Sequence, residues 1–442
     1  MGIAERPVSN RAALKRASKT QRATKTQQKP VTVLGPGLIA GASDDDPSGI
    51  ATYSQAGAQL GFSVSWTLLF SYPLMAAIQE ISALIGRTTG KGIAANIRIH
   101  YSNWVLQLIV LLLLLANTIN IGADLGAMGD AVGLLVGGPP LVYVVLFARV
   151  CTGLEIYIPY DSYAPVLRWL TLALFSYFGT MLFVKMPWGE MARGFFMPTV
   201  EANAQFWATV VAVLGTTISP YVFFWQASQE VEETRRVAAR KPLVRAPEQG
   251  PSALGRIRLD TYIGMGLANL VALAIMITTA ATLHAKGVTN IETSTQAAEA
   301  LRPVAGDFAF AIFTLGIVGT GLLAVPVLAG SAAYALAEAR RWPEGLARKP
   351  KKAKAFYATI ALATLIGALI NFSPINPIKA LYWSAVINGV VAVPVIAIMM
   401  VMTANRKIMG EFVVRGPLWL LGWIATGVMA AAIVVMGVTT FM

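Results

Sequence analysis

The sequence predicts an all-α integral membrane protein of about eleven transmembrane helices, arranged as a five-plus-five inverted repeat. Three observations predict this fold. The 442 residues are 56% apolar and only 13% charged, whereas a soluble domain carries about a quarter charged residues. Eleven segments are long and apolar enough to cross a bilayer. The first and the sixth of these segments are interrupted by polar residues and proline near their centres.

The segments are called spans one to eleven in chain order. Their predicted bounds are 32–60, 64–86, 102–128, 139–157, 165–184, 204–229, 260–283, 307–336, 355–371, 380–403 and 416–441. Spans one to five form the first repeat, about 31–186, and spans six to ten form the second, about 203–403. Span eleven, 416–441, lies outside the repeat.

The distribution of Lys and Arg predicts the orientation, because cytoplasmic loops retain these residues. The N-terminal tail and the loops after spans two, six, eight and ten hold 28 of them, and the loops on the other side hold five. We therefore expect a multi-pass protein of the plasma (inner) membrane with its N-terminus cytoplasmic and its C-terminus outside. The positive charge, +13 in net, then sets the orientation of the chain and lies next to anionic lipid. No nucleic-acid partner is expected.

Residues 1–30 form a basic cytoplasmic tail that we expect to be disordered, and 31–442 form one transmembrane domain. The chain has one cysteine, Cys151, and two distant histidines, His100 and His284. No internal disulfide, no His-based metal or catalytic site and no enzymatic activity are therefore expected. The oligomeric state stays open, and a monomer is compatible with the sequence.

Two breaks carry the functional signal. Span one is broken by Asp44-Asp-Asp-Pro-Ser-Gly49, and span six is broken between Gly215 and Pro220 by a run of hydroxyl residues. Unwound backbone at membrane depth is tolerated only inside protein or beside a water-filled cavity. Interrupted helices in corresponding positions of two halves indicate an inverted-repeat transporter with its site at the midplane.

The residue types at the breaks favour a hard cation. Carboxylates and freed carbonyls attract a cation, whereas an anionic substrate would need basic residues, which neither break contains. Oxygen ligands suit Mg²⁺, Ca²⁺ or Mn²⁺. Successive helical residues point about 100° apart, so the three carboxylates cannot all face one ion unless the segment is unwound. Asp46 is the first candidate ligand, followed by Asp45 and then Asp44.

Four motifs resemble the natural resistance-associated macrophage protein (NRAMP) family of divalent metal transporters. They are Gly35-Pro-Gly, Asp46-Pro-Ser-Gly49-Ile-Ala-Thr-Tyr53, Thr89-Gly-Lys-Gly-Ile-Ala94 and Ala123-Asp-Leu-Gly-Ala-Met-Gly129. The resemblance implies a LeuT-type fold with helices one and six unwound at the midplane. It also implies a metal site made by Asp and Asn of span one, Met of span six and nearby carbonyls.

Transferred onto this chain, the resemblance makes Asp46 the ligand carboxylate and Ser43 and Thr216 the carbonyl ligands. The family's Asn and Met positions hold Gly49 and Ser219 instead. The two histidines of span six that the family associates with proton movement become Tyr221 and Gln226. An acidic residue of span three becomes Ala127, and span nine has no arginine pair.

These departures resemble the NRAMP-related magnesium transporter branch. Loss of the thioether removes the soft ligand that favours Mn²⁺, Fe²⁺ or Cd²⁺ over alkaline-earth ions. Gly49 and Ser219 are also smaller than Asn and Met, so we expect a wider, oxygen-lined site that suits a partly hydrated Mg²⁺. The predicted function is alternating-access transport of Mg²⁺, with Mn²⁺ also accepted and without proton coupling. The metal is the transported substrate, and no cofactor is expected.

Two further residues and two rival functions stay open. Asn388 of span ten and Gln226 either face the site or make ordinary interhelical hydrogen bonds. One rival is a proton-coupled Mn²⁺/Fe²⁺ carrier, which the missing Met and His disfavour. The other is a Na⁺-coupled amino-acid carrier on the same fold, which the acidic break disfavours because a substrate carboxylate would meet Asp44 to Asp46.

Overall fold

A computed structural model describes residues 36–158, 162, 169 and 172–441, and every regular element in these ranges is helical. The tail 1–30, the first residues of span one and most of the first half of span five lie outside the described residues. Span one consists of two helices, named 1a and 1b, and span six consists of 6a and 6b. Their bounds are Pro36–Asp44 (1a), Pro47–Leu60 (1b), Ala204–Thr217 (6a) and Pro220–Arg236 (6b).

The other spans are single helices, apart from the described part of span five. They run Trp66–Thr89 (two), Asn103–Val136 (three), Pro140–Tyr157 (four), Leu172–Phe183 (five, described part), Gly250–Thr282 (seven), Ala309–Arg340 (eight), Lys354–Ile370 (nine), Pro377–Thr403 (ten) and Gly416–Phe441 (eleven). Within the described residues, eight helices are long and apolar enough to cross a membrane. Span nine is shorter, since 17 residues rise about 25 Å.

Three helix bounds differ clearly from the sequence prediction, and one of them is the end of span six, at Arg236 instead of 229. Span three continues from the predicted 128 to Val136 and ends at Gly137, whose φ of 82° lies in the left-handed region. Span seven begins at Gly250 instead of 260. Polar residues hid the start of span seven, because apolar periodicity stops where a helix leaves the lipid, whereas the end of span three, 129–136, is mostly apolar.

Helix 1a packs closely against span seven through glycines. A Cβ atom on Gly37 would lie 2.8 Å from the backbone nitrogen of Thr261, and one on Gly264 would reach the Gly37 carbonyl. Small residues at such crossings let two backbones approach and bury their surfaces. Any larger side chain at Gly37 would push 1a away from span seven.

The carboxylate of Asp260, at the beginning of the membrane part of span seven, caps helix 1a. Its Oδ2 accepts a 2.7 Å hydrogen bond from the Gly37 amide and its Oδ1 a 3.1 Å bond from the Leu38 amide. The first amides of a helix lack intrahelical partners and carry partial positive charge. Asp260 therefore stabilises 1a and fixes its N-terminal end to span seven.

The Thr89-Gly-Lys-Gly-Ile-Ala94 motif has a structural role. Gly90 adopts a φ of 66° at the end of span two, a conformation that glycine adopts without strain. The Ala95 amide donates a 3.0 Å hydrogen bond to the buried Glu338 carboxylate of span eight. A Cβ atom on Gly92 would overlap that carboxylate. The two glycines therefore let the chain turn and let Glu338 dock on the helix that follows.

Candidate metal site

The break in span one is formed by an extended residue and a proline. Helix 1a ends at Asp44, and Asp46 has φ −72° and ψ 170° before Pro47 begins 1b. The Asp46 Oδ1 accepts a 2.7 Å hydrogen bond from the Gly49 amide, as an aspartate before a helix commonly does. Pro47 suits the first helical position because it has no amide to leave unpaired. The break therefore points the Asp46 carboxylate at the N-terminal end of 1b.

The break in span six is also two residues long. Helix 6a ends at Thr217, and Ile218 and Ser219 connect it to Pro220 at the start of 6b. The Ser219 hydroxyl lies 2.9 Å from the Gly215 carbonyl oxygen and 2.8 Å from that of Thr216, which accept its hydrogen. Ser219 thus compensates for the helical amides that are missing at this break.

Asp46 is surrounded by donors from three helices. Its Oδ2 accepts a 3.0 Å hydrogen bond from the Asn120 carboxamide of span three and a 3.3 Å bond from the Tyr221 hydroxyl of 6b. The Tyr221 hydroxyl also lies 2.9 Å from the Ser43 carbonyl oxygen, which accepts from it. Asn120 in turn accepts a 2.7 Å hydrogen bond from the Ser384 hydroxyl of span ten. One network therefore connects both breaks with spans three and ten.

Gly49 and Thr216 bring the two breaks into contact. A Cβ atom on Gly49 would lie 3.1 Å from the Thr216 hydroxyl oxygen and 3.3 Å from the ring of Tyr53. The wider site expected from glycine is therefore wrong at this position. Thr216 and Tyr53 lie close to the place that the first carbon of a side chain would take here.

The residues that meet here are buried and rich in oxygen. Relative exposure is 1% for Ser43 and 2% for Asp46, Thr216 and Ser219. They supply one carboxylate, backbone carbonyls and hydroxyls, which is the ligand chemistry of a hard cation. Within the described ranges, no group of three or more His, Cys, Asp or Glu could hold a metal ion. A metal site at the breaks must therefore use neutral oxygens beside Asp46.

The three carboxylates of the acidic break have different surroundings. Asp45 lines a cavity of about 220 Å³ between 1a and span seven, together with Leu38 and Gly264. Asp44 is buried, at 3% exposure, and interacts electrostatically with Tyr53. Only Asp46 bonds to the residues that join the two breaks.

Gln226 bonds to neighbours in the helix bundle. Its carboxamide donates a 3.0 Å hydrogen bond to the Thr261 hydroxyl and accepts one from Gln79 of span two. These contacts match the interhelical role that the sequence left open. Asn388 is buried in span ten, and its Oδ1 has no hydrogen-bond partner among the described residues.

Three residues of the network were missed by the sequence analysis: Asn120, Tyr53 and Ser384. Asn120 carried a usable signal, because a carboxamide within an apolar span is expensive and commonly functional. Asp124 lies one helical turn further along span three and is fully buried. Neither of its oxygens has a hydrogen-bond partner among the described residues.

Comparison with known proteins decides the family. Residues 37–439 match the family described as natural resistance-associated macrophage protein-like. The chain belongs to the NRAMP family. Two relatives, from Klebsiella pneumoniae and Yersinia pestis, are both named divalent metal cation transporter MntH. The first is 27% identical over 421 residues, covering 90% of this chain and 94% of the relative. The second is 27% identical over 421 residues, covering 89% and 92%.

Solved structures confirm the fold of this NRAMP chain. It is similar to the Eremococcus coleocola manganese transporter in complex with an aromatic bis-isothiourea compound, with a TM-score of 0.70 and 16% identity over 92% of this chain and 87% of that one. It also resembles Mhp1, a nucleobase-cation-symport-1 family transporter, with a TM-score of 0.55 and 13% identity over 92% and 93%. The predicted LeuT-type helical fold with spans one and six broken is therefore correct.

Proposed function

We propose that this protein transports divalent metal cations by alternating access, with Mg²⁺ as the main substrate and Mn²⁺ also accepted. Its relatives support the class of substrate, since they are named divalent metal cation transporters and a manganese transporter. One observation carries the preference for a hard ion. The positions where the family has Asn and Met hold Gly49 and Ser219, so every side-chain ligand at the meeting of the two breaks is an oxygen.

Asp46 is the central ligand of the proposed site. A carboxylate has about four lone-pair positions, and hydrogen bonds from Gly49, Asn120 and Tyr221 use three of them. The backbone amide of Ser48 also contributes to this carboxylate, so a bound cation takes the place of one of these donors. The same donors fix the orientation of the carboxylate, a role that outer residues commonly play in metal sites.

Ser43 and Thr216 supply the carbonyl ligands of the proposed site. Each carbonyl accepts one hydrogen bond, from Tyr221 and Ser219 respectively, and a carbonyl oxygen has two lone pairs. The second lone pair can face an ion or a water bound to it. Mg²⁺ usually keeps several of its waters, so Ser219 completes the site through a water contact, whereas Gly49 acts through the bond of its amide to Asp46.

Transport without proton coupling follows from the residues of helix 6b. Tyr221 and Gln226 stand where the family has histidines, and neither side chain titrates near neutral pH in its ordinary state. Histidine is the group that changes charge in that range. The proposed cycle therefore moves the cation down its electrochemical gradient.

The predicted organisation completes the proposal. Repeat one, about 31–186, and repeat two, about 203–403, move relative to each other around the site, and span eleven stands outside them. The N-terminus is cytoplasmic and the C-terminus outside. Labelling of single cysteines placed in the tail and after span eleven, in intact cells, tests this orientation.

Metal binding by the purified protein tests the function. Isothermal titration with Mg²⁺, Ca²⁺, Mn²⁺ and Cd²⁺ should show tight binding of Mg²⁺ and Mn²⁺ by the wild type, and Asp46→Ala should lose this tight binding. Asp307→Ala, which changes an exposed aspartate of the loop before span eight, is the matched control and should bind like the wild type. Equal Mg²⁺ affinity in Asp46→Ala would show that the site is misplaced, and Cd²⁺ binding without Mg²⁺ binding would contradict the selectivity.

A further inference from the structure

A second cavity lies beyond the break, among helices 1b, 6a and span ten. Its volume is about 420 Å³, and it is closed on one side by the loop residues Asn290 and Ile291. Its polar lining consists of Gln55, Gln59, Gln205, Asn290, Lys379, Tyr382 and, from span eleven, Thr440. This set contains four carboxamides and no carboxylate, unlike the site at Asp46. We call it the carboxamide cavity.

The carboxamide cavity follows one face of helix 1b. Ala51, Gln55 and Gln59 line it, and residues four apart lie above one another on a helix. Helix 1b begins directly after Asp46, so at 1.5 Å per residue Ala51 lies about 8 Å and Gln59 about 20 Å along the axis from Asp46. The cavity therefore lies along 1b on one side of the break, where an ion bound in it would be within about 20 Å of Asp46.

Several oxygens in the cavity are available to a ligand. The carboxamide oxygens of Gln205 and Asn290 accept no hydrogen bond from another described residue. Gln59 Oε1 accepts only long ones, 3.3 Å from Gln55 and 3.4 Å from Thr209. Lys379, the basic residue of the lining, is 3.5 Å from Glu292, so this pair is close to neutral. The lining therefore offers neutral acceptors without a strong local field.

Neutral carboxamides with no carboxylate beside them compete weakly for the waters of Mg²⁺, which dehydrates reluctantly. They can accept hydrogen bonds from water that is already bound to the ion, and such contacts are nearly as favourable as direct ones. The cavity is large enough, because 420 Å³ corresponds to about fourteen water molecules at about 30 Å³ each. Six waters around one ion fit with room to exchange.

We propose that the carboxamide cavity binds a fully hydrated divalent cation through its water ligands, before the ion loses water at Asp46. Gln59, Gln205 and Asn290 accept the hydrogen bonds, and Gln55 holds the loop over the cavity through its bonds to Ile291 N (2.8 Å) and Thr289 O (3.2 Å). This inference rests on the proposed function, since it names a second position on the path of the same substrate.

Hexaamminecobalt(III) tests the proposal, because its ammine ligands do not exchange and it can bind only through outer contacts. The purified wild type and Asp46→Ala should bind it with the same affinity. The double variant Gln59→Leu/Gln205→Leu should bind it about tenfold more weakly, the effect of losing two ordinary hydrogen bonds. Gln107→Leu, a glutamine of span three away from the cavity, is the matched control and should not change the affinity.

A variant that binds more tightly distinguishes the loss of a contact from the misfolding of a variant. Gln205→Glu places a carboxylate at the same position and should bind hexaamminecobalt(III) more tightly, which a folding defect cannot produce. In Mg²⁺ transport, the double Leu variant should show a raised KM with an unchanged maximal rate.

Three outcomes overturn the proposal: no binding by the wild type, loss of binding in Asp46→Ala, or unchanged binding in the double Leu variant. Failure of the proposed function looks different. In that case Asp46→Ala would keep its Mg²⁺ affinity, whereas hexaamminecobalt(III) would still distinguish the cavity variants.

Discussion

The Asn120 carboxamide of span three donates a 3.0 Å hydrogen bond to the Asp46 carboxylate of span one. Its own oxygen accepts a 2.7 Å bond from Ser384 of span ten. Because the Ser384 hydroxyl and the carboxylate require opposite ends of the amide, Asn120 has one favoured orientation. It therefore brings a carboxamide to the ligand carboxylate although the chain has glycine, at Gly49, where the family has asparagine.

Asn120→Leu should weaken Mg²⁺ binding by about tenfold or more, the usual effect of losing a residue that orients a metal ligand. The leucine is similar in size but cannot donate to Asp46. Isothermal titration measures the change, and Asn103→Leu at the exposed start of the same helix is the control. If Asn120→Leu binds Mg²⁺ as the wild type does, Asn120 does not position Asp46.

Tyr221→His should make transport dependent on pH. The tyrosine hydroxyl contacts both Ser43 and Asp46, and a histidine there would gain a positive charge as the pH falls through its pKa, ordinarily about 6.5. That charge repels the cation, so Mg²⁺ uptake should fall below this pH and recover above it. Uptake by the wild type and by Tyr221→Phe should stay flat between pH 6 and 8, and a wild-type profile with the same fall would contradict uncoupled transport.

Ser219→Cys should shift the selectivity toward soft metals. The thiol is close to serine in size, and it returns sulfur to the position where the family has methionine. Cd²⁺ affinity should rise relative to Mg²⁺, as measured by competition titration, whereas Ser219→Ala should not produce the rise. An unchanged ratio of the two affinities would mean that Ser219 does not face the ion.

Gly49→Ala should destabilise the protein by about 1–3 kcal/mol, the usual effect of overpacking a buried position. The added methyl group would lie 3.1 Å from the Thr216 hydroxyl oxygen and 3.3 Å from the Tyr53 ring. Gly153→Ala is the control, because a Cβ atom there has no neighbour within 4 Å. Equal melting temperatures for the two variants would show that the breaks are not in close contact.

Asp260→Asn should loosen helix 1a. An amide keeps the shape but accepts with only one oxygen, so one of the bonds from Gly37 and Leu38 is lost, at a cost of about 1 kcal/mol. A thiol at Leu38→Cys, in a Cys151→Ala background, should then react faster with a water-soluble maleimide. Asp307→Asn is the control. Equal labelling rates with Asp260→Asn and with the unchanged Asp260 would rule out a role for Asp260 in holding 1a.

The sequence predicted the breaks well because their signals are local. Proline, glycine and carboxylates inside an apolar stretch interrupt a helix wherever it is placed, and the break in span one falls at Asp45 and Asp46 as expected. The ends of spans three and seven were predicted less well. Span seven begins in polar sequence, where hydropathy gives no signal, whereas the last residues of span three, 129–136, are mostly apolar.

The sequence by itself determined the helical fold with its apolar spans and two broken helices, and it singled out Asp46 as the candidate ligand. Only the tertiary structure decided what surrounds it. Asn120 lies 74 residues from Asp46 and Ser384 a further 264 residues along the chain, so no pattern of local spacing connects them. The tertiary structure also decided that Gly49 leaves little open space, because Thr216 approaches from another helix. These contacts depend on packing between helices that are distant in sequence. Local residue patterns therefore do not predict them.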